Sequence, residues 1–390
     1  MTTRVTAEPS IRAEASVARG RLQLHRLTNT RAAQVSRVLV GSALDEVPRR
    51  LALLLPVCGH AHALAGLCAM EAALGIPVSP AQAAARRVIV LAEQAAALAW
   101  RTLIDWAALV GEAADPRPLA ELRRLRNALA AALFGPGAWD RIGGASLRPD
   151  IAEARRVAQA IGARLCALIP EISDLSAPFA RVSAELQAGG SIPARVVAAA
   201  RQPELAGYGR HDLPFVAERK AEWFHARLAA EPDFGDAPTV DGTPAETGAL
   251  AERRHALVAE ACAAWGAGLA ARFFAQALDL VTLPARFESA LAGTEADAPQ
   301  ACDCHGRGAG TGIAETTRGV LAHYIAVEDG RVVRARSVAP TEWNFHPAGP
   351  FVTALAAAPA VNHPLEAARW LAASMDPCVP FQIARIADPR

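Results

Sequence analysis

The stretch ETTRGVLAHYIAVEDGRVVRARSVAPTEWN, residues 315–344, contains two β-prone runs, 320–328 and 331–338, that meet at Asp329–Gly330. Asp-Gly between such runs signals a tight hairpin, because both turn positions tolerate positive φ. In a hairpin with a two-residue turn, paired positions lie equally far from the turn. Arg318 and Thr341 then face each other at the open end, provided that pairing runs so far without a bulge. One cation and one hydroxyl would share that mouth.

Working outward from the hairpin, the period changes. From about 41 to 290 the chain reads as helices. Val88, Leu91, Ala95 and Leu98 have the three-and-four spacing of one buried helix face, and Leu257, Ala261, Ala264 and Gly268 repeat it. Breaks bearing Pro and Gly fall near 115–118, 135–144, 203–214 and 231–243. Residues 16–40 mix Val, Leu and Thr with polar residues and supply one or two strands. Residues 292–312 (AGTEADAPQACDCHGRGAGTG) form the most irregular segment. The expected fold is mainly α with smaller β elements, in one domain over 1–390. Its parts are a β-containing segment (1–40), a central helical bundle (41–290), a loop and β-hairpin (291–350) and a C-terminal helix with an Asp-Pro-Cys motif (351–390).

The composition excludes several classes of function. Net charge is +1, so nothing favours a nucleic-acid or anionic-membrane partner. Basic charge is nearly all arginine, with Lys220 the one lysine. The longest apolar runs, such as Leu51–Val57, fall far short of the roughly 20 residues that span a bilayer. The N-terminus shows neither a hydrophobic signal core nor twin arginines, so the expected location is the cytoplasm. Seven cysteines in so long a cytosolic chain do not suggest a disulfide framework.

Three places carry candidate chemistry. In LPVCGHAHALAGLCAMEAALG (55–75), Cys58 and His62 stand four apart, hence on one face if a helix begins near Cys58. A thiolate there is favoured by the helix dipole. The plainer alternative is a buried cysteine and a hydrogen-bonded histidine at a helix start. In SMDPCVPFQIARIADPR, Pro377 and Pro380 bracket Cys378 and prevent regular structure around it; alone it reads as an ordinary thiol. Cys302, Cys304 and His305 lie close together in a Gly-rich segment. They could bind zinc, nickel or iron transiently, or be a passive loop.

The run from Glu315-Thr316-Thr317-Arg318-Gly319 through the hairpin to Ala339-Pro340-Thr341-Glu342-Trp343-Asn344 resembles the large subunit of nickel–iron hydrogenases. There an E-x-P-R-G motif leads through a hairpin to V-P-T-x-W-N. CGHAHALAGLCAMEAALG resembles the family's first metal motif, and Asp376-Pro377-Cys378 its second, D-P-C-x-x-C-x-x-H. ETGALAERR (246–254) is similar to E-x-G-P-L-A-R, and ARGRLQL to the strand E-G-H-L-R. These anchors extend over nearly the whole chain.

The departures from the family matter most. Cys58 and His62 match the second cysteine and the histidine of the first motif, while the first cysteine falls on Leu55. Cys378 matches the first cysteine of the second motif, whose other ligands fall on Phe381 and Ala384. The proton-relay acid falls on Arg19. The resemblance implies nickel held by four thiolates, two of them bridging to iron. Two thiolates are too few for that nickel site, yet they could hold a preformed iron unit carrying two cyanides and a carbonyl, Fe(CN)2CO. Arg318 and Thr341 match positions beside those diatomic ligands, where they would donate to cyanide nitrogen, with His62 completing the cofactor side. A structural ion pair with Glu315 is the alternative for Arg318. Since the position of the family's terminal histidine is Ala384, no C-terminal processing is expected.

The degenerate motifs resemble those of the HupK/HoxV-like hydrogenase expression/formation proteins. That resemblance implies a non-catalytic scaffold that carries the iron unit, with the hydrogenase large-subunit precursor and the Hyp maturation proteins as partners. A divergent hydrogenase or hydrogen sensor, and a metal-free structural relative, are the alternatives.

Overall fold

A computed structural model describes residues 9–31, 38–135, 139–144, 147–216, 219–253, 255–294 and 308–387. Two three-stranded sheets flank a helical middle. In the first, β1 (Ile11–Ala18) pairs antiparallel with β2 (Arg21–Asn29). In the second, β3 (Ala309–Thr316), β4 (Gly319–Glu328) and β5 (Arg331–Val338) form an antiparallel meander. β6 (Phe381–Arg385) returns from the C-terminus to lie parallel to β1. The two ends of the chain thus meet in one sheet. β1 starts five residues before the expected strand region. Its alternation of buried Ile11, Ala13 and Ala15 with exposed Arg12 and Glu14 is the period-two pattern of a half-buried strand.

The helices include α1 (Val47–Leu54), α2 (Gly59–Leu74), α3 (Pro80–Trp100), α4 (Arg117–Phe134), α5 (Ile151–Cys166) and α6 (Leu269–Thr294). α3 packs along α6 in the middle, with α4 and α5 against them. Ser79 opens α3, its hydroxyl accepting the Gln82 amide at 3.2 Å, with Pro80 at the first helical position. Val88, Leu91, Ala95 and Leu98 are buried, as their spacing requires. The second periodic set is broken, however. Ala264 is exposed within the helix Ala256–Trp265, which stops at Gly266, φ +79°, and Gly268 lies in the bend before α6. Among the described residues no helix is long and apolar enough to cross a membrane.

Two expectations for the hairpin region are corrected. First, 309–312 is strand rather than loop. Gly310 and Gly312 let β3 lie directly on α2: a Cβ on Gly312 would stand 2.1 Å from the Ala65 carbonyl oxygen, and one on Gly310 2.3 Å from that of Ala69. Glycine here serves close backbone approach, not flexibility. Second, the Asp329–Gly330 turn forms as expected, with φ of 47° and 71°. But the ladder slips after Val327↔Val332, so that Ala326 faces Arg334 and Val333 is an extra, bulged residue. The ladder ends at Ala322↔Val338, and Pro340–Asn344 turns into a short helix. Arg318 and Thr341 are therefore not cross-strand partners.

The ETGALAERR segment is anchored by Glu246, which is 2% exposed. Its carboxylate accepts from Arg272 Nε at 2.7 Å and Nη2 at 2.8 Å, and lies 2.7 Å from His211 Nε2. Burial alone would raise its pKa, but the guanidinium of Arg272, with help from His211, pulls it down to about 2. A carboxyl depressed in the folded state stabilises the fold fully above its unfolded pKa, near 4.5, and loses that contribution as pH falls toward 2. The expected acid loss from this residue is about 3 kcal/mol. Urea titrations from pH 6 to pH 2 check it: Glu246→Gln should be less stable at neutral pH and flatter over that acid window.

Candidate functional site

The first half of the site is built at the start of α2. Cys58 is the N-cap residue, and its carbonyl accepts the His62 amide at 3.0 Å. The free amides of the first turn are taken by Glu93 of α3. One of its oxygens accepts from His60 N at 2.8 Å and the other from Ala61 N at 3.0 Å. Gly59 must be glycine, since a Cβ there would meet the Ala52 carbonyl oxygen at 2.8 Å. The Cys58 thiol is thereby fixed, 7% exposed.

The second half follows α7 (Pro364–Met375), which ends at Asp376 in the left-handed region, φ 48°. Pro377 and Pro380 keep the next residues out of regular structure until β6. Thr341 holds this loop. Its hydroxyl oxygen accepts the Cys378 amide at 3.3 Å and lies 3.2 Å from Cys378 Sγ. Arg318 grips the residue two before, Nε donating to the Asp376 carbonyl at 3.0 Å and Nη2 to its carboxylate at 3.1 Å. Arg101 donates to the same carboxylate and, at 3.1 Å, to the Thr317 hydroxyl. That bond gives Thr317 a role in the place where the family has proline. Glu315, the alternative partner for Arg318, pairs instead with Arg286 at 2.9 Å.

These two halves bring Cys58 and Cys378 together. Both thiols are free, and the ionisation of each is tied to the other. The neighbouring Cys58 side chain, with Arg31, Arg318 and Thr341 nearby, holds Cys378 well below the ordinary thiol range. The Cys378 side chain, reinforced by burial, pushes Cys58 well above it. Cys378 is therefore the one of the two that ionises first. Arg318 stays charged despite burial, because Asp376, Cys378 and Cys58 surround it. Arg318 and Thr341 thus meet at the Asp376–Cys378 loop, although not through the hairpin ladder.

Three participants were not read from the sequence. Arg31, just beyond β2, is 5% exposed, and its Nη1 donates to both oxygens of Glu342 at 2.9 and 2.8 Å. Its Nη2 lies 3.2 Å from His62 Nε2, and His62 Nδ1 lies 2.7 Å from Nε2 of His323, which is fully buried. Since a guanidinium only donates, His62 Nε2 accepts and its Nδ1–H donates to His323. Burial, helped by the neighbouring Arg31, lowers His323 to about 3; burial, His323 and Arg31 lower His62. Both rings are neutral. Each nitrogen of His62 is already engaged, one by Arg31 and one by His323. A lone Arg after a strand gives no sequence signal of this kind.

Other expected positions lie elsewhere or outside the described residues. Arg19, with Gly20, makes the exposed β1–β2 turn, φ 50° and 74°. The other end of β1 faces the site: the Ile11 amide donates to the Pro380 carbonyl at 2.9 Å. ARGRLQL is therefore a hairpin turn and not the strand start. In Glu8-Pro9-Ser10-Ile11-Arg12 an acid does precede the strand, but Glu8 lies outside the described residues. So do Cys302, Cys304 and His305.

A family profile described as nickel-dependent hydrogenase matches residues 238–381. The chain is 32% identical to the hydrogenase expression/formation protein HupK of Rhizobium leguminosarum bv. viciae, covering 90% of this chain and 89% of that one. HupK of Bradyrhizobium diazoefficiens is 30% identical over the same shares, 90% and 89%. Among solved structures, the nickel–iron–selenium hydrogenase of Desulfomicrobium baculatum superposes with a TM-score of 0.67, at 15% identity, over 93% of this chain and 95% of that one. At that identity the likeness shows the fold alone, that of a hydrogenase large subunit. With identity to HupK sustained over nine-tenths of its length, the chain belongs to the HupK family of hydrogenase expression/formation proteins.

Proposed function

We propose that the chain is a non-catalytic carrier in hydrogenase maturation. It holds a Fe(CN)2CO unit between Cys58 and Cys378 and hands it to the large-subunit precursor, in the cytoplasm and with the Hyp maturation proteins. One observation carries this reading: the fold brings Cys58 and Cys378, from two distant motifs, close enough to shift each other's ionisation, with Thr341 on Cys378 and Arg318 on the same loop. Two thiolates suit the iron, and the guanidinium of Arg318 and the hydroxyl of Thr341 are of the right chemistry to donate to cyanide nitrogen. Cys378 is only half-buried, in a loop without regular structure, which suits a ligand that must let go. A four-thiolate nickel centre does not fit the same residues. The remaining positions are Leu55 and Phe381, whose side chains pack with apolar neighbours and offer no ligand atom.

The test is an infrared spectrum of the protein purified from cells with an active maturation system. Cyanide and carbonyl stretching bands are expected in the intact chain and should vanish in Cys58→Ala and Cys378→Ala. An intact chain without those bands would leave a metal-free interaction protein as the better account. Hydrogen uptake by the pure protein with stoichiometric nickel would sink the carrier.

A further inference from the structure

The cysteine motifs do not supply the cation that stands between the thiols and the histidine pair. Arg31 comes from the other end of the chain, is 5% exposed, and is clamped by both oxygens of Glu342. Glu342 is the next residue after Thr341, which touches Cys378. Arg101 and Arg318, the other buried guanidiniums here, are both committed to Asp376. Arg31, which makes no bond to Asp376, keeps a buried donor, its Nε–H, without a hydrogen-bond partner in the described structure, as Arg101 does with its Nε and Nη1. Burial works against its charge, but Cys378, Glu342 and Cys58 outweigh it.

The charges can be counted. With both thiols ionised, Cys58, Cys378, Glu342, Asp376 and the Glu93 carboxylate beside Cys58 are five anions against three guanidiniums, Arg31, Arg101 and Arg318. A ferrous ion with two cyanides and a carbonyl is neutral as a unit and leaves that balance unchanged. A bare divalent ion brings two positive charges next to a guanidinium that cannot lose its proton.

We propose that Arg31 sets the specificity of the site: its fixed charge repels a bare divalent metal ion, and its uncommitted Nε–H serves the cyanide edge of the iron unit. The second half of this statement rests on the carrier reading; the first does not. Arg31 is a positioning and selecting residue, and removing it should turn the thiol pair into an ordinary divalent-metal site.

The experiment is a titration of the reduced full-length protein with Co2+, followed by thiolate-to-cobalt absorption. All samples carry Cys302→Ser and Cys304→Ser, so that only the described pair is read. Otherwise intact protein should show little such absorption. Arg31→Met should show it, with a dissociation constant at least tenfold lower, and lose it again when Cys58→Ala is added. Arg31→Lys, which keeps the charge, should still exclude cobalt. Equal cobalt affinity with and without Arg31 would overturn the proposal. If Arg31→Met alone does not fold, the neutral pair Arg31→Met/Glu342→Met decides in its place, because it leaves no buried charge unpaired. In the infrared experiment, Arg31→Met should shift or weaken the cyanide bands. If even the intact chain has no such bands, the carrier reading fails, while the cobalt titration still decides what Arg31 does.

Discussion

Gly312→Ala is expected to destabilise the protein by at least about 3 kcal/mol, the upper range for overpacking a filled interior. The added carbon would lie 2.1 Å from the Ala65 carbonyl oxygen, 2.6 Å from the Cys68 Cβ and 2.7 Å from the Ala69 amide nitrogen. Two of these three are backbone atoms of α2, so no side chain can swing aside to make room. Either β3 or the helix must move. α2 carries Cys58 and His62, and its other side is pinned: a Cβ on Gly66 would stand 2.5 Å from Leu51 of α1. Movement therefore costs packing on both faces and carries Cys58 away from Cys378. Gly312→Val should leave too little folded protein to purify. Urea denaturation followed by far-UV circular dichroism checks the alanine variant. Gly190→Ala is the control, since a Cβ there meets nothing within 4 Å and should change stability by less than about 0.5 kcal/mol. A Gly312→Ala midpoint matching that control would show that the contact between β3 and α2 is looser than described.

Those glycines also show where sequence reasoning stopped. A Gly-rich run beside a cysteine cluster reads as loop, because propensity disfavours glycine in strands. What decides 309–312 is the helix on the other side, and no local pattern reports a neighbour that is hundreds of residues away. The Asp329–Gly330 turn was legible because its chemistry is local: two positions need positive φ, and these residues supply it. The bulge at Val333 was not, since nothing in Arg331–Arg336 distinguishes a straight ladder from a slipped one. The slip removes the pairing of Arg318 with Thr341 but not their shared target. Both reach the Asp376–Cys378 loop, Arg318 from a strand turn and Thr341 from a helical turn. The motif spacings brought out Cys58 and Cys378, whereas Arg31 and His323 belong to no motif and Glu342 fills the unspecified position of V-P-T-x-W-N. They become visible only once the chain ends are brought together, because a buried charge is informative through its partners.

Asp376→Asn is expected to destabilise the protein by about 3–5 kcal/mol, the range for breaking a buried ion pair from one side. Asn is nearly the size of Asp and is among the few residues that accept the left-handed backbone found here, φ 48°, so backbone strain is not the cause. The loss is electrostatic. Arg101 and Arg318, 1% and 7% exposed, share this one carboxylate. Arg101 has little else, since its Nε and Nη1 already lack partners in the described structure. Arg318 would keep the Asp376 carbonyl but lose its anion. Replacing Arg101 as well, in Arg101→Met/Asp376→Asn, should recover part of the loss, because one buried cation is then gone and one remains for the amide oxygen. The two changes should couple by 1 kcal/mol or more, about the scale seen for residues in one network. The cysteine site should respond too. Cys378 stands two residues beyond Asp376, so loosening Arg318 should free its loop and speed alkylation of its thiol by iodoacetamide in the folded state. Faster alkylation with a small stability change would mean that Asp376 places the loop without holding the fold. A large stability change with unaltered alkylation would mean that Thr341 alone is enough to place Cys378.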